Sequence, residues 1–245
     1  MIQTWKPRGL IAAAAGSVGA DYTECGVAVE RVGSVAVITI RGPIESHPNS
    51  CGFADYDSVY LAFLQSRDAS AIVLDIDSPG GMCAGNFECA RSVRGLVLPP
   101  VYAVANFMAC SAAYALACVA DHIFAPPTAT VGSVGVRSGV MSWSRANDAN
   151  GIDIRLTSSG DYKLDGDPDL PIDDGAVARN QAQVDTLAEV FFVWVSERRN
   201  GLDARALQGD CFLGSQACEL GLTDGVATLG QVLGALLIDT KGESI

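Results

Sequence analysis

Ser111 is the side chain of this sequence best placed to act as a nucleophile. It lies between a strand-like run, Val101 to Ala105, and an apolar helix-like run that ends at Ala120. Backbone N–H groups at a helix start have no partner within the helix, and the helix dipole is positive there, so an oxyanion formed beside Ser111 would be stabilised. The same position also suits a serine that only caps the helix. The local pattern leaves both interpretations open.

Lys163, 52 residues downstream, could supply the base of a Ser-Lys dyad. A lysine accepts a proton only when it is neutral, which requires burial or cationic neighbours. Four nearby aspartates favour the charged form instead, unless their carboxylates point to solvent or to another partner. They are Asp161, Asp165, Asp167 and Asp169. An exposed loop lysine is therefore the alternative interpretation.

A glycine turn, Ser78-Pro79-Gly80-Gly81, follows the strand-like run 72–76. Consecutive glycines at the end of a strand let the backbone approach a ligand and aim an N–H at it. An N–H of Gly80 or Gly81, with the N–H of Ala112, would make an oxyanion hole suited to acyl transfer. A plain turn explains the same four residues.

Cys110, His47 and His122 are the alternative nucleophile and bases. Cys110 adjoins Ser111, but adjacent side chains cannot both face one cleft. Neither histidine has an obvious acidic partner in the sequence. We interpret both histidines as structural or surface residues.

The composition limits the class of protein. A chain of 245 residues, 49% hydrophobic and 18% charged, suits one domain with a substantial core and leaves room for subunit contacts. The net charge of −12 opposes binding to nucleic acid or anionic membranes. The eight cysteines form no Cys-x-x-Cys pair, which argues against zinc and favours reduced thiols. No segment reaches the roughly 18 consecutive apolar residues of a membrane span.

Alternating strands and helices should position these side chains. The sequence predicts strands over 34–40, 71–75, 101–105, 122–125 and 152–157, a strand or turn over 131–136, and helices over 56–64, 85–94, 111–120, 184–195, 215–220 and 229–237. This order predicts an α/β fold with a mainly parallel sheet and a helical C-terminal part. Residues 1–33 lack periodicity and are predicted to form a peripheral arm, whereas 34–240 form a single domain.

Six ordered motifs resemble those of the protease IV or signal peptide peptidase A family, which has a ClpP/crotonase-like fold of repeated ββα units. They are Asp75 to Gly81, Ala109 to Tyr114, Ala120 to Ala125, Thr130 to Val136, Ser159 to Lys163, and Phe212 to Gly214 leading to Asp224. The resemblance covers about residues 34–237. It implies that Ser111 is the nucleophile and Lys163 the base, with no metal or other cofactor. It also implies a ring-like homo-oligomer whose active sites combine residues of neighbouring subunits.

Within this family the sequence most resembles the head-maturation proteases of tailed bacteriophages, of the minor capsid protein C type. The likeness rests on the stretches 77–85, 110–112 and 163–168. It implies action on scaffold or portal-associated proteins in the host cytoplasm or procapsid. Such phage enzymes often continue into a scaffolding segment, whereas this chain ends soon after Leu237. Truncation, self-processing and a stand-alone bacterial protein are three explanations of that difference.

Three function classes stay open. The first is a serine endopeptidase, with a bacterial signal-peptide peptidase-like enzyme as its cellular variant. The second is a CoA-thioester hydratase or isomerase, which would use the glycine oxyanion hole without a nucleophilic serine; such enzymes usually carry basic contacts for phosphates, and this acidic chain has no basic patch. The third is a catalytically inactive capsid assembly protein. Labelling of Ser111 by a fluorophosphonate or chloromethyl ketone separates the three.

Overall fold

A computed structural model describes residues 26–47 and 53–239 of the protein. The strands in these residues are β1 (Gly26–Val32), β2 (Val35–Arg41), β3 (Ile44–Glu45), β4 (Ala54–Asp55), β5 (Ala71–Ser78), β6 (Val101–Cys110), β7 (His122–Ala125), β8 (Thr130–Gly132), β9 (Cys211–Leu213) and β10 (Gly225–Val226). The α-helices are α1 (Tyr56–Gln65), α2 (Asn86–Arg94), α3 (Ala112–Ala117), α4 (Ser144–Ala149), α5 (Asp174–Arg198), α6 (Gly214–Glu219) and α7 (Leu229–Asp239), with a 3₁₀ turn at Ala204–Leu207.

The main sheet has the order β1-β2-β5-β6-β7-β10, and β8 and β9 extend it beside the end of β6. Strands β2, β5, β6, β7 and β10 run parallel to one another, and β8 runs parallel to β6. Only the outer pairs β1–β2 and β8–β9 are antiparallel in this sheet, as far as the described residues extend. The mainly parallel sheet and the helical C-terminal part confirm the predicted ClpP/crotonase-like fold.

Helices cover both faces of the sheet. On one face α1, α2, α3 and α5 pack over the aliphatic side chains of β2, β5 and β6. On the other face α7 packs over β2 and β5, where Val35, Val73 and Val232 form a smaller apolar cluster. Strand β5 is therefore buried on both faces, which explains its continuous apolar run.

Strand β6, which carries the candidate nucleophile, has two successive neighbours on one side. Its first half pairs with β7 and its last three residues pair with β8. On its other side, Asn106 and Phe107 have no opposite residue in β5, because the register shifts there. Such a bulge bends a strand and re-aims the residues beyond it. It directs the end of β6 away from β7 and places Ser111 beside β8.

The structure contradicts the sequence predictions in two segments, and α5 begins at Asp174 rather than at Val184. Residues 152–157 alternate in polarity, yet all are exposed and none lies in a strand. An alternating segment becomes a strand only when another strand supplies hydrogen-bond partners, and no described strand pairs with this one. The second difference is Gly26–Val32, which lies within the predicted arm but forms the edge strand β1. The rest of that arm, residues 1–25, lies outside the described residues.

Candidate active site

Ser111 occupies a sharp turn between β6 and α3. Its backbone is left-handed, with φ 52° and ψ −124°. Its N–H donates to the Gly132 carbonyl at 2.9 Å, and its own carbonyl accepts from the Tyr114 N–H at 2.9 Å. A positive φ at a residue other than glycine costs about 1–3 kcal/mol and is kept only where the surroundings enforce it. The bonds on either side of Ser111 enforce it here.

The Ser111 hydroxyl does not cap helix α3. The helix start has no side-chain capping hydrogen bond, and Ser111 Oγ bonds to no other described residue. The side chain is half-buried. The capping interpretation of this serine is therefore wrong, and the hydroxyl is left available for chemistry.

Gly80 packs directly against the Ser111 turn. Its φ is +93°, and a Cβ added there would lie 2.8 Å from both the Ala112 nitrogen and the Ser111 Cβ. The same Cβ would lie 2.7 Å from the Cys110 carbonyl oxygen. Only glycine fits such a close backbone approach. The glycine turn and the nucleophile turn thus form one packed unit, as the motifs predict.

Two backbone N–H groups near Ser111 are left without a partner among the described residues. The Ile44 N–H donates to the Gly80 carbonyl at 3.0 Å, and the Met82 N–H donates to the Ile44 carbonyl at 2.8 Å. Successive peptide groups of a strand point to opposite sides, so the Gly81 N–H points away from Ile44. Ala112 is the first residue of α3, and its N–H has no acceptor within the helix.

The N–H of Gly80 is used differently from that of Gly81. It donates to Ser78 Oγ at 3.1 Å, and Ser78 is fully buried. Gly80 therefore shapes the turn, while the neighbouring Gly81 presents the unused donor. A Cβ on Gly81 would lie only 1.9 Å from the Ile44 carbonyl oxygen, so this position also requires glycine.

Lys163 lies in a turn on the surface, and its side chain makes no hydrogen bond with Ser111 in the described residues. Its side chain is exposed and makes no hydrogen bond or ion pair with any described residue. Only its backbone is anchored, through an N–H donated to the Gly160 carbonyl at 3.3 Å. One copy of the chain does not bring the two proposed catalytic side chains into contact.

Three of the aspartates around Lys163 have partners other than the lysine. Asp165 accepts two hydrogen bonds from Arg179, at 2.5 and 2.9 Å, and these lower the pKa of Asp165. Asp169 accepts from the Asn147 amide at 2.9 Å, and Asp167 accepts from the Asp169 N–H at 3.0 Å. A Ser-Lys dyad requires these four carboxylates to point to solvent or to another partner, and three of them have such a partner.

A cavity of about 330 Å³ lies beside this turn and includes Tyr162, Asp165 and Arg179 in its wall. Its wall contains neither Ser111 nor the glycine turn. Arg179 also lies over the Tyr162 ring, 4.2 Å from its centroid. These contacts hold the Lys163 turn against helix α5, and the cavity is separate from the nucleophile.

The alternative nucleophile and base do not fit the geometry. Cys110 is buried, with its Sγ 3.9 Å from that of Cys211, and burial raises the pKa of Cys110 to about 12. His122 is exposed and stacks on Tyr102, its ladder partner at the start of β6. Ser111 lies beyond the other end of that strand, about 25 Å or more away at roughly 3.3 Å per residue. A Ser-His pair between Ser111 and His122 of the same chain is excluded.

Two backbone contacts of the site were not predicted from the sequence. The Gly132 carbonyl holds the Ser111 N–H, and Ile44 holds both sides of Gly81. Gly132 lies in one of the resembling motifs, whose regular glycines indicate close backbone approach. Ile44 gives no such signal, because a two-residue strand after Gly42-Pro43 has no periodicity.

The described residues contain no group of three or more side chains that could hold a metal ion. None of the described helices is both long enough and apolar enough to cross a bilayer.

The chain is similar to known peptidases. The family model described as "Peptidase family S49" matches residues 98–241, more than half of the chain. Capsid assembly protease C of Escherichia phage lambda is 31% identical over 201 residues, which are 78% of this chain and 46% of that protein. Head-tail preconnector protein GP5 of Enterobacteria phage P21 is 31% identical over 204 residues, 79% of this chain and 40% of that protein.

A cellular relative is also similar. Probable protease SohB of Buchnera aphidicola is 26% identical over 180 residues, 72% of this chain and 54% of that protein. The chain thus spans about half, or less, of the length of these relatives.

Proposed function

The chain belongs to peptidase family S49, and we propose that it is a serine endopeptidase with Ser111 as nucleophile and Lys163 as general base. The observation that carries the proposal is the Ser111 turn. The backbone of this serine is strained and its hydroxyl makes no capping bond, which is typical of a catalytic residue rather than a structural one. We infer acyl transfer, because two N–H donors without partners lie in the backbone packed around Ser111 and could bind an oxyanion.

In the proposed reaction, Ser111 Oγ attacks the carbonyl carbon of a peptide bond while the neutral Lys163 Nζ takes the hydroxyl proton. The carbonyl oxygen becomes an oxyanion, which accepts hydrogen bonds from the N–H groups of Gly81 and Ala112. The lysine then gives its proton to the leaving amine. Water, deprotonated by the same lysine, hydrolyses the acyl-enzyme and restores the serine.

Within the proposed oxyanion hole, Gly80 has a supporting role. Its own N–H already donates to Ser78 Oγ. Its missing side chain lets the glycine turn contact the backbone of Ser111 and Ala112. Gly80 therefore sets how closely the Gly81 donor approaches the nucleophile.

We place the active site between subunits of a homo-oligomer. Lys163 is exposed in one chain, yet a lysine base must be desolvated to stay neutral. Large apolar side chains are also exposed in the same segment of the chain, residues 141–162. They are Met141, Trp143, Ile152, Ile154, Leu156 and Tyr162. A second copy that covers this segment would bury the lysine and bring it to a neighbouring Ser111.

The proposed substrates are head proteins of a tailed phage or prophage, processed during capsid maturation in the host cytoplasm or procapsid. Two relatives at 31% identity are named a capsid assembly protease and a head-tail preconnector protein. The protease SohB relative supports the bacterial signal-peptide peptidase-like variant of the same chemistry. Both variants use the same site and differ only in the protein that is cut.

Covalent labelling tests the chemistry. A fluorophosphonate probe should modify wild-type protein at Ser111, as located by peptide mapping, and should fail to modify Ser111→Ala. Ser78→Ala is a useful contrast, because that hydroxyl already accepts a hydrogen bond within the glycine turn and is buried. Labelling of the Ser111→Ala protein at the same rate as wild type would refute the proposed nucleophile.

Mixing inactive variants tests the shared site and separates it from an inactive assembly protein. Ser111→Ala and Lys163→Ala should each lose casein hydrolysis by about 10⁴-fold, as with other catalytic units. Dissociated and reassembled together, they should regain activity where an intact serine meets an intact lysine. Demonstrably mixed oligomers without activity would place both residues in one chain, and wild type without any hydrolysis would favour the assembly role.

A further inference from the structure

A buried hydrogen-bond relay joins the glycine turn to the start of helix α3. Asn86 is the first residue of α2 and only 1% exposed. Its Nδ2 donates to the Ala112 carbonyl at 3.0 Å and to the Tyr56 hydroxyl oxygen at 3.1 Å. The Tyr56 hydroxyl in turn donates to the Met82 carbonyl. The relay therefore ends on Ala112 and on the residue directly after Gly81.

Tyr56 is held firmly enough to serve as an anchor. It is 4% exposed, and its backbone carbonyl accepts a bond from Cys89 Sγ at 3.4 Å. Gly85, with φ +92°, lets the chain cross the Tyr56 ring, because a Cβ there would lie 3.0 Å from the ring. Burial raises the pKa of Tyr56, so its hydroxyl keeps the proton that it donates to Met82.

The orientation of the Asn86 amide is set by its partners. The Ala112 carbonyl can only accept, and the Tyr56 oxygen accepts because its own proton goes to Met82. Both partners therefore require the NH₂ end of the amide. The other end, Oδ1, is buried and has no partner among the described residues. A buried unpaired oxygen destabilises a fold, whereas an apolar residue of similar size would avoid this.

We propose that Tyr56 and Asn86 are positioning residues that set the spacing between the Gly81 and Ala112 N–H groups. This inference rests on the proposed oxyanion hole. Neither side chain touches the substrate, so both act through the two backbone segments that they connect. Because the oxyanion exists only in the transition state, loss of the relay should lower kcat and leave KM nearly unchanged.

Two variants that remove parts of the relay and one control variant, all made in the 245-residue chain, test the relay. Tyr56→Phe removes only the hydroxyl, and Asn86→Ala removes the bridge. Ser66→Ala is the matched control, because the Ser66 hydroxyl is also buried and donates to a backbone carbonyl, that of Ala62 at 2.8 Å, but has no bond to the glycine turn or to α3. Active sites are first counted with the fluorophosphonate probe, so that kcat refers to competent sites only.

The measured quantities are kcat and KM on a fluorogenic peptide that wild type cleaves, and the Ki of a peptidyl boronic acid, whose adduct resembles the tetrahedral intermediate. For Tyr56→Phe and Asn86→Ala we expect kcat and boronate affinity to fall together by about 10- to 100-fold. KM should stay within about threefold, as expected for a loss confined to the transition state. Ser66→Ala should lower the melting temperature without changing either quantity per site.

The proposal is overturned if Tyr56→Phe keeps kcat per site and boronate affinity within about twofold of wild type. It is also overturned if Ser66→Ala lowers both kcat per site and boronate affinity as much as Tyr56→Phe does. Should Asn86→Ala fail to fold, the nearly isosteric Tyr56→Phe decides the question. Failure of wild type to react at Ser111 would instead refute the proposed function, which distinguishes the two failures.

Discussion

Replacing Gly80 by alanine is the sharpest test of how the site is packed. The new methyl group would lie 2.7 Å from the Cys110 carbonyl oxygen and 2.8 Å from the Ala112 nitrogen and the Ser111 Cβ. Ordinary contacts begin near 3.4 Å, so the glycine turn must retreat from the nucleophile by about 0.6 Å. The positive φ of +93° adds backbone strain of about 1–2 kcal/mol.

These numbers predict a selective loss of activity. A displacement of about 1 Å at a catalytic group costs on the order of 100-fold in rate, so a shift of about 0.6 Å should slow acylation by about 10- to 100-fold. The assay is the rate of fluorophosphonate labelling at Ser111, with the melting temperature measured on the same sample. Gly80→Ala should label slowly while most of the protein remains folded.

Gly230→Ala is the matched control. Gly230 lies in helix α7, and a Cβ there would have nothing within 4 Å. The Gly230→Ala protein should therefore be labelled at Ser111 as fast as wild type, and alanine's better helix propensity should raise its free energy of unfolding by up to about 1 kcal/mol. If Gly80→Ala labels at the wild-type rate with an unchanged melting temperature, the close packing of the two turns is refuted.

Charge and exposure give three further predictions. Arg199 binds Asp224 through two bonds of 2.9 and 3.0 Å; burial raises the pKa of Asp224, but these bonds bring it below its ordinary value. Asp224→Asn should therefore lower the free energy of unfolding in urea at pH 7 by about 2–3 kcal/mol, less than for a fully buried pair. The deficit should begin to shrink as the pH falls below about 3.9, the ordinary pKa of an aspartate, and should vanish only below the lowered pKa of Asp224 in the folded protein; a deficit that does not shrink on acidification would contradict this. If Lys163 is the base, kcat/KM should rise with pH to an alkaline plateau in both wild type and His122→Ala. A rise in kcat/KM centred at about pH 6.5 that is present in wild type but absent from His122→Ala would contradict a lysine base. Ile154→Asp should leave the protein folded but reduce its molar mass by light scattering and abolish peptide hydrolysis; full assembly would refute the proposed interface.

Much of the fold is predictable because its central strands are buried on both faces. Continuous β-branched runs such as those of β2 and β5 have few alternatives to a parallel sheet. The start of α3 was predictable for a related reason, since Ala112 to Ala117 is an apolar run directly after a strand. The length of α5 was not, because its first turns are largely exposed and lack an apolar face.

The candidate site was only partly predictable from the sequence. Ser111 and the two glycines lie in motifs whose backbone geometry is local, so their residue types reveal it. The Tyr56–Asn86 relay is formed by residues from two helices that the sheet brings together, and a tyrosine in an amphipathic helix gives no sign of it. How Lys163 would be desolvated is not predictable from one chain, because its side chain is exposed in the described residues.

The position of Ser111 at the end of the central strand has a consequence for how the protein responds to heat. Amide groups in a strand flanked by β5, β7 and β8 exchange with solvent only when the whole domain opens, whereas an exposed segment without strand partners opens alone at little cost. Among the described residues, Ser111, the proposed nucleophile, thus belongs to a slowly opening part, and Lys163, the proposed base, to a fast one. Warming should release Lys163 first, and the protein should inactivate reversibly at temperatures where its sheet is still intact.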